Sequence, residues 1–211
     1  MSKKNITLIC ISIILVTYFS HTYFNKNIQF QTLDKAENIK DYQKVKDLHS
    51  QCFSTVRRKN LINYYTQQQQ INDEFSKKKL EQQVDSFLKN LQDSFIHTSN
   101  ITLLSQGSEI IGIYSCSNDY RFFGNDAMIW NLCLDEKHRG QGKGRTLAKH
   151  AISRCKKDYD NLLLTVEKEN ITAQNLYQSL GFQKIDWPQG KPVGLEFFNK
   201  ILMKHTSPRS P

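Results

Sequence analysis

Arg139, Gly140, Gln141, Gly142, Lys143, Gly144 and Arg145 set three alternating glycines among three cations, just after the apolar run Leu132-Cys133-Leu134. Those residue types suit the holding of a phosphate. A helix N-terminus offers backbone N–H groups without helical partners and the positive end of a dipole. Glycine lets the main chain approach an anion and adopt positive φ without a Cβ penalty. A P-loop, G-x-x-x-x-G-K-[ST], is excluded because Lys143 is followed by Gly144. A dinucleotide fingerprint is excluded because the glycines run G-x-G-x-G and stand late in the chain. A nucleic-acid patch would interleave aromatic residues with the basic ones, and this stretch has none.

Metal and disulfide chemistry find little footing. Cys10, Cys52, Cys116, Cys133 and Cys155 are odd in number, scattered, and form no C-x-x-C pair. They read as small buried apolar residues with reduced thiols. The six histidines form no H-x-x-x-H pair, so no metal is expected.

The glycine turn needs a strand before it and a helix after it. "AMIWNLCL" supplies the strand; "GRTLAKHAISRCKK" supplies the helix, with Leu147, Ala148, Ala151, Ile152 and Cys155 on one face. Upstream, "NIQFQTL" reads as a strand, and Tyr42, Val45, Leu48 and Cys52 mark an amphipathic helix. Residues 57–98 carry at least one more helix, with the Gln67–Gln70 run as a solvated turn or helix face. "NITLLSQ" and "EIIGIYSCS" form strands joined by a Gly107–Ser108 turn. Downstream, "NLLLTVE" suits a strand covered on both faces, and "ITAQNLYQSLGF" a helix stopped by Gly181. "FQKIDW" and "LEFFNKILMKH" supply two last strands. The order predicts an α/β fold: a mixed, mostly antiparallel central sheet flanked by helices.

Arg139, Gly142 and Gly144 match R-x-x-G-x-G, and "VEKENITAQNLYQSLGF" follows about 30 residues later. The first resembles the acetyl-CoA signature of the GCN5-related N-acetyltransferase family. The second is similar to that family's N-x-x-A-x-x-L-Y-x-x-x-G-F, with Asn170, Ala173, Leu176, Tyr177, Gly181 and Phe182 at the named positions. The resemblance is strong over 126–187 and rests on element order before that. It implies transfer of acetyl from acetyl-CoA to an amine by direct attack in a ternary complex. The pyrophosphate would rest on the amides of Arg139 to Arg145. The pantetheine arm would lie along Leu132–Leu134, one of whose backbone N–H groups would hold the oxyanion. Asn170 would bond the arm, and Tyr177 would donate to the leaving thiolate, since a phenol of pKa about 10 stays protonated at neutral pH. Read without the family, Tyr177 is a core aromatic on an amphipathic helix. Cys133 is read as packing, not as a nucleophile. Related enzymes often carry a glutamate where Thr165 stands. Glu167 has the same strand parity, Glu109, Asp126 and Glu196 are further candidates, and no base is assigned.

A formal charge of +9 over 211 residues attracts polyanions or phosphate-rich small molecules. Two other readings therefore stay open: a catalytically silent CoA-binding sensor or scaffold, and a basic polyanion-binding protein on the same fold. Residues 1–26 hold the apolar stretch Ile6–Phe19 behind Lys3 and Lys4, with Tyr18, Tyr23 and Phe24 as an aromatic edge. They read as a single-pass membrane anchor or an uncleaved signal-like segment, with the catalytic domain facing the cytosol. The acetyltransferase domain is then 27–204, and 205–211 a fraying tail. Expected partners are acetyl-CoA, an amine acceptor and the membrane, with nucleic acid disfavoured and a homodimer left open.

Overall fold

The computed structural model describes residues 28–33, 42–98, 100–118, 126–187 and 199–205. Its strands are β1 (Ile28–Leu33), β2 (Ile101–Gln106), β3 (Glu109–Asn118), β4 (Ala127–Leu134), β5 (Leu162–Glu167), β6 (Phe182–Ile185) and β7 (Lys200–His205). They form one seven-stranded sheet in the order β1-β2-β3-β4-β5-β7-β6. Only the β4–β5 pair is parallel; the others are antiparallel. The helices are α1 (Tyr42–Gln68), α2 (Glu74–Thr98), α3 (Lys143–Cys155) and α4 (Ile171–Gln178).

Strand alternation sorts the side chains into two layers. On one face Leu104, Tyr114, Ile129, Leu164 and Met203 meet Leu147, Ala148 and Ala151 of α3 and Tyr177 of α4. On the other, Ile101, Leu103, Ile113 and Cys133 meet Val45 and Leu48 of α1. β5 serves both faces: Leu162, Leu164 and Val166 join the first layer, while Leu163 packs with Met128 and Leu202. That is the doubly covered strand its apolar run predicts.

The apolar spacing that begins at Tyr42 does not end near Cys52. With no glycine or proline before Gly107, nothing stops the helix, and α1 runs to Gln68. The glutamine run then forms the turn, where Gln70 takes φ 49°. Asp73 restarts the chain by accepting the Ser76 N–H at 2.8 Å. Leu61, Leu80 and Val84 seal α1 against α2.

Two expectations are corrected. Cys52 is bridged to Cys133 and Cys116 to Cys155, so these four are not reduced thiols. The pairs are 81 and 39 residues apart in sequence, and only the packing of α1 and α3 on opposite faces brings their Cα atoms to 6.0 and 6.1 Å. The expected membrane-tethered location is also overturned: among the described residues, no helix is long and apolar enough to cross a membrane. Residues 1–26, on which the anchor was read, lie outside the described residues, as does Glu196.

Candidate active site

The site begins at an irregularity in β4. Asn131 takes φ 51°, and the β3–β4 register slips there, from Ser115 opposite Trp130 to Ile113 opposite Cys133. One extra residue has been fitted into β4, which is a β-bulge. Just before it, β4 loses its other neighbour. The parallel pairing covers only Ala127–Ile129 against Leu162–Leu164, while β5 continues along β7 as far as Glu167 opposite Lys200. Leu132, Cys133 and Leu134 therefore lie past the point where the two parallel strands part. Their backbone edge toward β5 borders a wedge-shaped gap.

The glycine turn sits at the mouth of that wedge. Asp135 accepts the Lys137 N–H and starts a single 3-10 turn, Glu136–His138. Arg139 Nε then donates to the Leu134 carbonyl at 3.2 Å, tying the turn to the end of β4. Gly140 has φ 74°; Gly142, at φ 75° and ψ −11°, is the N-cap of α3. A Cβ at either position would meet nothing within 4 Å. Glycine is required there by the left-handed backbone, and the space above it is open. A Cβ at Gly144 would stand 3.9 Å from the Leu134 and Leu176 side chains, an ordinary contact. The Arg145 and Thr146 N–H groups donate to the carbonyl of the Gly142 N-cap at 3.0 and 3.2 Å, and the positive end of the α3 dipole lies at this turn.

The cations of the turn are used differently than the sequence suggested. Lys143, expected beside the phosphate position, is 4% exposed, and its Nζ lies 2.7 Å from Gln106 Oε1 and 2.9 Å from His138 Nδ1. Its ammonium thus faces the sheet, because the first turn of α3 points that side chain inward, so only its backbone remains for an anion. Arg145 reaches Ser179 Oγ at 2.8 Å, and Gln141 Nε2 donates to the Lys137 carbonyl at 3.2 Å.

On the other side of the wedge stands α4. Asn170 is its N-cap, its side-chain oxygen accepting the Ala173 N–H at 3.1 Å. Tyr177 lies two turns on, in the layer between α4 and the sheet, 7% exposed and edge-on to Phe182. Burial pushes its phenol up to about 12, so it is a neutral donor across the physiological range.

The base candidates separate. Asp126 stands before the first residue of β4, at the opposite end of that strand from the wedge, paired with Lys204 at 3.0 Å. Glu109 pairs with His138 at 3.5 Å. Glu167 closes β5 at the wedge, half-buried, with Lys200 Nζ at 3.8 Å. Burial raises its carboxyl above the usual range, and the Lys200 and Arg57 charges offset part of that rise. Thr165 shares its face, opposite Leu202.

A second polar group, not evident from the sequence, lies at this place. Arg57, from the middle of α1, donates through Nη2 to Asn131 Oδ1 at 3.1 Å and lies over the Phe53 ring, 4.7 Å from its centroid. His49 Nε2 is 3.4 Å from the same Asn131 oxygen. Burial, with the Arg57 charge adding to it, holds that imidazole down at about 4, so it is neutral at pH 7. Helical spacing from His49 through Phe53 to Arg57 could have shown a shared face, but nothing local showed that the face meets the β4 bulge.

Comparison with known proteins follows the same boundaries. The model of the acetyltransferase (GNAT) family matches residues 44–182. A Bacillus subtilis (strain 168) protein provisionally named ribosomal protein bS18-alanine N-acetyltransferase is 42% identical over 60 residues, 28% of this chain and 40% of its own length. The chain spans less than half the length of the curated relatives it matches. Among solved structures, the Bacillus subtilis acetyltransferase in complex with CoA has a TM-score of 0.55 at 15% identity, covering 84% of this chain and 97% of its own. An Elizabethkingia anophelis GNAT family acetyltransferase with acetyl-CoA bound has 0.51 at 18% identity, covering 87% and 100%. At such identities these two neighbours show the fold.

Proposed function

The chain belongs to the acetyltransferase (GNAT) family, and from that premise we propose that it moves an acetyl group from acetyl-CoA to an amine by direct attack in a ternary complex. The observation that carries this reading is the wedge between β4 and β5, with an open left-handed glycine turn after β4 and a buried tyrosine on the helix that follows β5. A pyrophosphate fits the turn, where the α3 dipole and N–H groups favour an anion and Gly140 and Gly142 leave room for it. The thioester arm then lies along Leu132–Leu134, on the backbone groups that β5 no longer pairs.

The amine nitrogen attacks the acetyl carbonyl carbon, the N–C bond forms and the C–S bond breaks. An N–H of the bulged strand, at Leu132 to Leu134, stabilises the oxyanion of the tetrahedral intermediate. Tyr177 gives the departing thiolate its proton, and the proton lost by the amine balances it. Asn170, held as an N-cap, starts the helix that positions Tyr177. The domain runs from residue 27 to about 204, and in it α1, α2 and the β6–β7 end shape the acceptor side. The named activity of the bS18-alanine relative makes a protein α-amine one acceptor to include, beside small amines.

The test is turnover of acetyl-CoA by the full chain against a panel of small amines and short peptides, following free CoA and the acetylated product together. Both should rise in equal amounts. CoA release without an acetylated amine, or neither, would overturn the proposal.

A further inference from the structure

The buried polar group on the α1 side of the wedge is not needed to build the fold. Arg57, Asn131, Glu167 and Lys200 come from α1, β4, β5 and β7, and close-packed apolar residues would be at least as stable there. The group is mostly buried, the Lys200 side chain 10% and the Glu167 side chain 18% exposed, so it can be approached only along its open edge. The guanidinium of Arg57 is pre-set, stacked on Phe53 and held by Asn131 Oδ1 at 3.1 Å. Asn131 is the bulge residue, so this anchor stands one position before the strand segment given the thioester above. Glu167 and Lys200 face each other in register across β5 and β7. The second carboxylate oxygen of Glu167, Oε2, is buried and accepts no hydrogen bond among the described residues.

We infer that this group is the acceptor-recognition site and that it takes an amine bearing a carboxylate a few bonds from the reacting nitrogen, with a free amino acid as the type. The inference rests on the acetyltransferase reading and adds the substrate class. The carboxylate of the acceptor meets the planar fork of Arg57, which suits bidentate binding, with Lys200 beside it. The amine of the acceptor meets the accessible part of the Glu167 carboxylate, at the parted end of β4. Charge supports the pairing. Burial holds Arg57 down at about 10 and Lys200 at about 8; the Arg57 charge depresses Lys200 further, and Glu167 pulls both the other way. An arriving anion is therefore welcomed by both cations, whereas an amine with no anion brings only a further positive charge. His49, the remaining titratable group on this face of α1, is neutral and adds none.

The experiment compares free amino acids with their carboxamides as acceptors for the full chain, in wild type, Arg57→Gln, Arg57→Lys and Lys200→Met. Acetyl-CoA affinity is measured in each by calorimetry. A charge-assisted fork corresponds to about tenfold to a hundredfold in kcat/KM. Wild type should prefer the carboxylates by that factor, Arg57→Gln should abolish the preference, and Arg57→Lys should restore part of it. Acetyl-CoA affinity should stay within about twofold throughout, which also reports that each variant is folded. Equal turnover of carboxylates and carboxamides, or a preference that survives Arg57→Gln, overturns the inference and leaves the acetyltransferase reading intact. Wild type that binds no acetyl-CoA removes both.

Discussion

Replacing Gly142 by alanine separates the cost of a strained backbone from the cost of a blocked anion site. Gly142 has φ 75°, and a Cβ there meets nothing within 4 Å. The only penalty to the protein alone is the left-handed conformation, about 1–2 kcal/mol for an L-residue. For a domain of this size that lowers Tm by roughly 2–8 °C. Gly107, in the β2–β3 turn, makes a matched control. It has φ 61° and the same open surroundings, so Gly107→Ala should lose a similar amount of stability. The two variants should differ in what they bind. A methyl at Gly142 stands in the space over the N-terminus of α3 and keeps the pyrophosphate from the backbone. We expect acetyl-CoA affinity to fall at least about tenfold, or about 1.4 kcal/mol. Gly107→Ala should bind as wild type does. Thermal melts and calorimetry on the three proteins give both quantities. Equal affinity in Gly142→Ala and Gly107→Ala would refute the placement of the phosphates.

Three further outcomes follow from the same geometry. Tyr177→Phe should lower kcat by about a hundredfold or more while acetyl-CoA affinity barely moves, because only the proton donor is lost; steady-state kinetics beside calorimetry checks it. Gly112→Ala places a Cβ 3.1 Å from both the Cys133 carbonyl and a Leu147 methyl, so it should destabilise by about 1–3 kcal/mol by overpacking between β3, β4 and α3, read by denaturant unfolding. His49 titrates at about 4 in the folded chain against 6.5 in the unfolded one. Because the unfolded state binds the extra proton, its contribution is whole above pH 6.5 and is lost as pH falls from there toward 4, at most about 3 kcal/mol. His49→Gln should flatten that acid limb of stability against pH.

What could be read in the sequence was whatever is written locally. The positive φ at Gly142 follows from a glycine between a strand and a helix, and the N-cap role of Asn170 from its place before "ITAQNLY". The expected fold held in its sheet type and element order, because strand alternation and helical period survive in short windows. What escaped depends on contacts across the sheet. The bulge at Asn131 is a register event between β3 and β4, and no residue type in "AMIWNLCL" announces it. Lys143 looked like a phosphate ligand because its neighbours are glycines, yet Gln106, 37 residues earlier, decides where its ammonium goes. The two cysteine bridges were hidden by spacing, since each joins elements that meet only after the helices have packed. The acceptor side suffered most: Arg57 lies in a polar helix that by itself reads as a solvated surface, and its partners come from three strands.

The central claim is most directly tested by a crystal structure of the full chain with CoA, grown at a ligand concentration well above the measured Kd. The pyrophosphate should lie on the backbone of Gly140 to Arg145, the pantetheine in the wedge along Leu132–Leu134, and the sulfur within hydrogen-bond reach of the Tyr177 hydroxyl. CoA bound elsewhere, or a wedge left empty under those conditions, would contradict it.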